Sequence, residues 1–488
     1  MHTRRLTPMS RFDAVVVGAG PNGLAAAISL ARAGCSVLVR EAAATPGGGA
    51  RSCELTLPGY IHDLFSAIHP LSVGSPFLRR LPLEEHGLEW VHSPAPLAHP
   101  FDDGSAVLLE RSVAATAEGL GREGRAYSAL IGPIATRWPK LAREILQPLH
   151  LSRSSLSLAR FGLDALLPAS LLARHRLGGG RAAALFAGSA AHGGVSLGSP
   201  ASAAFGLVLH AAGHAVGWPL PRGGAGRLTA AMAGYLISLG GRIETGNPVG
   251  SLDELPPSRA ILLDLTARQV AAVGRDYLPE RYLARLRRFR YGAGVFKVDW
   301  ALSGPIPWRA AECGRAATVH LGGPLEEIVA SLGLVARSRI AERPFVLLAQ
   351  PTLFDPTRAP QGSHVAWAYC HVPNGSSIDM LDRIERQIER FAPGFRELVV
   401  ARSVMGPEAL ERMNANLVGG DVNGGAAVLG QILFRPTVSM DPYSTPVPGV
   451  YICSASTPPG GGVHGMCGYN AARSALRNTF GLTAPLRI

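Results

Sequence analysis

Lysine is almost missing from this chain. Lys140 and Lys297 are the only two among 47 basic residues, so the formal net charge of +12 is carried by arginine. The arginines are scattered, with no basic tail and no nucleic-acid-binding motif, so no nucleic-acid partner is expected. Weak attraction to anionic lipid stays compatible with the charge. Paired cysteines are missing too. Cys35, Cys53, Cys313, Cys370, Cys453 and Cys467 form no Cys-x-x-Cys, which removes zinc ribbons and redox dithiols and fits a reducing, cytoplasmic setting. No run of ~18 apolar residues is uninterrupted. Ala201–Leu220 comes nearest, but His210, His214 and Pro219 break it, so a buried helix and loop are expected and no transmembrane helix. His210 and His214 stand one helical turn apart without an acidic third ligand, so no metal is expected. Charged residues make up 17% against 47% apolar, the balance of a globular chain. At 488 residues, two intertwined domains are expected.

What is present is clearest in Val15–Glu41. Three valines lead into Gly18-Ala19-Gly20-Pro21-Asn22-Gly23, then an Ala-rich helical run, then Val37-Leu38-Val39-Arg40-Glu41. This reads as strand, glycine turn, helix, strand. Gly18 allows a tight turn, Gly20 lets a pyrophosphate approach the backbone, and Gly23 lets the helix pack on the strand. The N–H groups and dipole of the helix start favour phosphate. Glu41, about 20 residues on, is positioned to bind ribose hydroxyls. The fingerprint alone does not separate NAD from FAD. Met1–Arg11 carries Arg4-Arg5 ahead of this apolar strand, in outline an export signal; cleavage there would destroy the nucleotide site, so retention in the cytoplasm is expected.

Thr45-Pro46-Gly47-Gly48-Gly49-Ala50-Arg51 follows as a loop able to curl against a cofactor, with Arg51 near a phosphate or ring edge. Residues 76–217 are helix-rich. Within them Leu151–Leu177 is basic and amphipathic, read mainly as helices on the domain core and alternatively as a membrane-surface helix. Ala225–Leu239 reads as a helix stopped by Gly240-Gly241, Arg242–Val249 and Ile261–Leu265 as strands, and Ser377–Phe391 as a surface helix. Strand character recurs in Gly294–Trp300, Phe345–Gln350 and His364–His371. In the first of these Lys297 and Asp299 share one face. Lys297 is a candidate for steering flavin reoxidation, against pairing with Asp299. Gly292-Ala293-Gly294 has Lys297 where a third glycine belongs, so no second dinucleotide fingerprint is present. Near the C-terminus Gly449–Cys453 reads as a strand and Ser454–Gly462 as a Gly/Pro/Ser loop. Val463-His464-Gly465-Met466 then opens an Ala-rich helix, a second helix start facing a ligand.

On these residues the chain resembles the FAD-dependent phytoene desaturase-like family, the carotenoid and retinoid oxidoreductases, over nearly its whole length. The resemblance implies an α/β fold: a Rossmann-like FAD-binding domain built from residues 1–75, 218–275 and 440–488, interleaved with a mixed α+β substrate domain of residues 76–217 and 276–439. It implies FAD contacts at Gly18, Gly20, Pro21, Asn22, Gly23, Glu41, Gly48, Gly49 and Arg51, and an adenine-side contact at Val249. Ser454, Ala455, Gly461, Gly462, Val463, His464 and Met466 are implied along the ribityl chain and ring. Ser454 stands where the family usually has glycine. The stretch between Val249 and Ile261 is shorter than the family's usual insert.

The implied activity is transfer of hydride from a C–H bond of an apolar, polyprenyl- or carotenoid-like substrate to the flavin. The alternatives are an FAD oxidase of a smaller molecule such as an amine, a redox-neutral polyene isomerase, and a fold that mainly binds a partner. The electron acceptor (dioxygen, a quinone or another) and the oligomeric state are left open, as is peripheral membrane contact. No catalytic acid/base pair is visible; His464 and Lys297 are the catalytic candidates.

Overall fold

A computed structural model describes residues 12–148 and 161–482. Arg4-Arg5 and the first part of the Leu151–Leu177 stretch lie outside the described residues.

The first sheet is made of five parallel strands from three distant parts of the chain. In spatial order they are Val450–Ile452, Ala260–Leu263, Ala14–Val17, Val37–Arg40 and Arg242–Glu244. Each is short, four are predominantly apolar while the edge strand Arg242–Glu244 is charged, and the central Ala14–Val17 strand is buried along its length. Alternation along it sends Ala14 and Val16 to one face and Val15 and Val17 to the other. The first face is covered by helices Pro21–Arg32, Gly226–Ser238 and Met466–Asn478, through Leu24, Ile28, Met232, Leu236 and Ala472. The second is covered by Ala267–Val273 and Glu280–Arg287 through Val270, Leu283 and Leu286. Burying each large aliphatic side chain contributes roughly 1.5–3 kcal/mol, and a parallel sheet needs both faces covered.

The second sheet has seven strands in the order Val399–Met405, Gly294–Leu302, His364–Val372, Val346–Ala349, Ala316–Leu321, Ala95–Pro100 and Ala106–Leu109. All neighbours are antiparallel except Ala316–Leu321 beside Ala95–Pro100. Its outer face packs Phe296, Val298, Trp300, Ala368 and Cys370 against helix Leu381–Phe391. The inner face is divided. Leu97, Leu109 and Leu347 pack under helices Gly124–Thr136, Arg181–Ala190 and Ala203–Val216. The other end carries Lys297 opposite Tyr369, Asp299 opposite Trp367, and His371 beyond them opposite Val295.

Two expected elements come out at least four residues shorter. The strand expected over Arg242–Val249 stops at Glu244, because Gly246 turns the chain at φ +65°. The Ser377–Phe391 helix begins only at Leu381; Asp382 and Arg386 do pair on it at 2.9 Å. His210 and His214 serve packing: the Tyr127 hydroxyl bonds His210 Nδ1 at 2.8 Å and His214 Nε2 at 2.7 Å. Among the described residues no cluster suited to a metal is present, and no helix is long and apolar enough to cross a membrane.

Candidate dinucleotide site

The glycine turn leaves the first strand at Gly18, which adopts φ +102°. Pro21 opens the helix, where its missing N–H costs nothing. A β-carbon on Gly23 would stand 2.0 Å from the Gly18 carbonyl oxygen, so the third glycine is required by helix–turn packing. The second is required by the protein as well. A β-carbon on Gly20 would stand 2.8 Å from Asp264 Oδ2, and one on Gly48 would stand 2.7 Å from the Gly20 α-carbon. Gly20 thus has a packing reason to be glycine beside the one its place in the fingerprint gives, because Asp264 lies on its bare side.

Asp264 is the residue the sequence reading missed. It ends the buried strand Ala260–Leu263, and its Oδ2 accepts the Gly23 N–H at 2.9 Å. Burial pushes its carboxyl up to about 7, with the neighbouring Glu41 charge adding to the rise. An acid ending an apolar strand was the available signal, the same one that picked out Glu41. Glu41 itself is buried at the end of its strand. Its Oε2 accepts the Ala19 N–H at 2.6 Å and its Oε1 the Ala43 N–H at 2.8 Å. Two backbone donors therefore fix a carboxylate that has acceptor capacity left for hydroxyl groups.

The Gly47–Gly49 loop lies on the turn, with Gly47 N–H donating to the Ala19 carbonyl at 2.9 Å. Gly49 has open space on its bare side, and its carbonyl accepts the Ser66 hydroxyl at 2.7 Å. Arg51 is committed to the protein. It donates to the carbonyls of Gly48 at 3.1 Å and Met413 at 2.7 Å, and its guanidinium lies 5.3 Å from the centre of the Phe65 ring. Val249 packs at the edge of the cluster around Leu38 and Leu252. Asn247, two residues earlier, runs beside Glu41, its N–H donating to the Glu41 carbonyl at 2.9 Å.

The C-terminal helix start arrives at the same place. A β-carbon on Gly468 would stand 1.8 Å from the Asn22 carbonyl oxygen, and one on Gly465 would stand 3.1 Å from Ala25 Cβ. The first turns of the two helices, Pro21–Arg32 and Met466–Asn478, are in contact. Leading into this second start, Ser454 ties its hydroxyl to the Leu265 carbonyl at 2.7 Å. The Ala455 carbonyl accepts from buried Arg435 at 2.9 Å. Gly461 lies against Asn423, and Gly462, at φ +114°, lies against Leu71. Ser72 and Ser75 hold the loop by donating to the carbonyls of Val463 at 2.5 Å and His464 at 2.7 Å. His464 Nδ1 accepts the Met466 N–H at 3.0 Å, and burial pushes its imidazole down to about 4. It is therefore a neutral group holding the helix start. Lys297 lies on the inner face of the second sheet. It pairs with buried Asp299, as the shared face anticipates, and lies 5.5 Å from the centre of the Trp367 ring.

The NAD(P)-binding Rossmann-like domain family matches residues 16–81, which contain the glycine turn, Glu41 and the Gly47–Gly49 loop. The chain is similar along its length to the mouse protein named pyridine nucleotide-disulfide oxidoreductase domain-containing protein 2, at 26% identity over 97% of this chain and 94% of that protein. A shorter match, at 34% identity over 23% of this chain and 24% of the relative, is to hydroxyneurosporene desaturase of Cereibacter sphaeroides. These relatives support an FAD oxidoreductase family for the chain. The fold of this oxidoreductase agrees with that of a putrescine oxidase variant, at TM-score 0.61 and 17% identity over 95% of this chain and 98% of that one. The relatives thus support a flavin-type cofactor, and the two abutting helix starts offer a cradle for a dinucleotide. In spite of the mouse relative's name, all six cysteines of this oxidoreductase are free thiols.

Proposed function

We propose that this oxidoreductase binds FAD across the two helix starts and dehydrogenates an apolar, polyprenyl- or carotenoid-like substrate. The contact of Gly468 with Asn22 carries the reading, because it brings two distant glycine-lined helix starts together. The residues from Gly18 to Gly23 face the diphosphate in this proposal, with Glu41 on the ribose and Gly461 to Met466 along the ring end. FAD, when bound, supplies the hydride acceptor. The chain's own part is orientation and exclusion of water. Neutral His464 holds the loop without placing a charge there, and the sheet's inner face offers Trp367 and Tyr369 as an apolar wall.

A second reading, oxidation of an amine, is favoured by those same two rings, which stack at 5.9 Å and 6° like the walls of a cage. It is opposed by the Lys297 ammonium beside Trp367, which repels a cationic substrate. Anaerobic mixing of the purified yellow protein with polyprenyl donors tests the choice. Bleaching of the flavin by these donors supports dehydrogenation. Bleaching only by amines, with peroxide formed on admitting air, selects the second reading. A protein purified without flavin absorbance ends both.

A further inference from the structure

Trp367, Tyr369 and His371 alternate along one strand and so share its inner face. Their rings form a ladder: Trp367 and Tyr369 are 5.9 Å apart and stacked, while Tyr369 and His371 are 5.5 Å apart and edge-on. Ala67 and Ile68 pack against the first two rings. At the far end His371 is 95% buried, yet neither ring nitrogen has a hydrogen-bond partner. A polar group left so costs roughly 1–3 kcal/mol, which a folded chain tolerates where a ligand or water completes it. Gly194 packs against its edge. A β-carbon on Gly194 would stand 3.3 Å from His371 Nε2 and 3.6 Å from Asn423 Nδ2. Asn423 in turn abuts Gly461, in the loop assigned above to the ring end of the cofactor. The ladder therefore leads to an imidazole bordering the reactive end of the site.

Charge narrows what binds there. Burial pushes His371 down to about 4, so the ring stays neutral and offers one donor and one acceptor. Asp299, the carboxylate opposite Trp367 on this face, is already paired with Lys297, whose ammonium sits over Trp367. An ammonium group finds no free counter-ion on the ladder, and a pure hydrocarbon leaves His371 unanswered.

We propose that His371 anchors an uncharged oxygen function, a hydroxyl or carbonyl, carried by an otherwise apolar substrate whose unsaturated chain lies along Trp367 and Tyr369. The assignment rests on the reading of this protein as an FAD dehydrogenase and specifies its substrate. The holoprotein is titrated with three probes of one carbon skeleton: 2,6-dimethylocta-2,6-diene, geraniol and geranylamine. Binding is read from perturbation of the flavin absorbance. Geraniol binds about tenfold more tightly than the hydrocarbon, the effect of about one hydrogen bond, and geranylamine binds more weakly than geraniol. His371→Phe abolishes the alcohol's advantage and leaves hydrocarbon affinity within about twofold, while His371→Gln retains part of the advantage. Equal affinity for alcohol and hydrocarbon in the wild type overturns the assignment, as does an advantage that survives His371→Phe or tightest binding by the amine. The wild-type comparison decides the matter even where a variant fails to fold. Absence of flavin from the purified protein defeats the FAD reading before any probe is added; flavin present without preference for the alcohol defeats only this assignment.

Discussion

Gly468 and Asn22 touch so closely that a β-carbon on the former would stand 1.8 Å from the carbonyl oxygen of the latter. One residue belongs to the last helix and the other to the first, and their contact is what makes two glycine loops a single site. Gly468→Ala forces the helix starts apart against a rigid backbone, an overpacking that costs ~1–3 kcal/mol or more. The expected outcome is protein with a lowered melting temperature and little retained flavin. Scanning calorimetry and flavin absorbance after gel filtration check it; a fully flavinylated Gly468→Ala protein contradicts the assembly described here.

Glu41 accepts two backbone N–H groups and, in the proposed complex, ribose hydroxyls. Glu41→Gln leaves one buried donor facing an amide N–H, at a cost of ~1–3 kcal/mol. The FAD dissociation constant is expected to rise at least about tenfold, measured by recovery of flavin fluorescence on dilution. An unchanged constant removes Glu41 from the site.

Asp264 gives the fold a pH dependence. Its carboxyl is raised to about 7 by burial, from an ordinary value of 3.8. Between those values the unfolded chain has released the proton and the folded chain keeps it, so stability falls as pH rises through this window. The loss is complete above about pH 7. Asp264→Asn keeps an acceptor for the Gly23 N–H and cannot ionise. The variant is expected to be stabilised relative to wild type at pH 8 by ~4 kcal/mol more than at pH 4. Urea unfolding of cofactor-free protein at the two pH values measures the difference; equal offsets at both refute it.

Lys297 and Asp299 are a buried pair, with the Asp299 Oδ1 also 3.5 Å from His62 Nδ1. Removing the cation alone strands a charge, so Lys297→Met is expected to cost ~3–5 kcal/mol. Lys297→Met with Asp299→Asn recovers most of that by removing both charges. The double variant also isolates the chemical question. If its flavin reoxidises with dioxygen at the wild-type rate in stopped flow, the catalytic candidacy of Lys297 ends.

Leu163, Leu166 and Leu171 are exposed beside Arg174 and Arg176. Both arginines have acidic neighbours, Arg174 with Glu326 at 3.8 Å and Arg176 with Asp164 at 2.8 Å, which weakens the case for a lipid surface. The pairings favour helices packed on the domain core over the alternative of peripheral membrane contact, and flotation with phosphatidylglycerol vesicles tests the choice. Protein that stays at the bottom of the gradient in low salt disproves the contact.

The sequence by itself determined the local units, because their signals act over a few residues. Three valines before Gly18 make a strand, Gly20-Pro21 opens a helix, and an acid ends the second strand at Glu41. The same local logic marked the C-terminal strand, loop and helix, and the strands carrying Lys297 and His371. It failed where a single left-handed residue outweighed a pattern, as at Gly246, which ends the strand at Glu244. Tertiary structure alone decided which units meet. Asp264 under Gly20, Gly468 on Asn22, and His371 beside Gly194 are separated by 244, 446 and 177 positions. Such contacts arise from packing two sheets and their helices together, and no local pattern of polarity or glycine encodes the partner. Whether an isolated acid or histidine is solvated, paired or left to a ligand follows from that packing, and with it the chemistry.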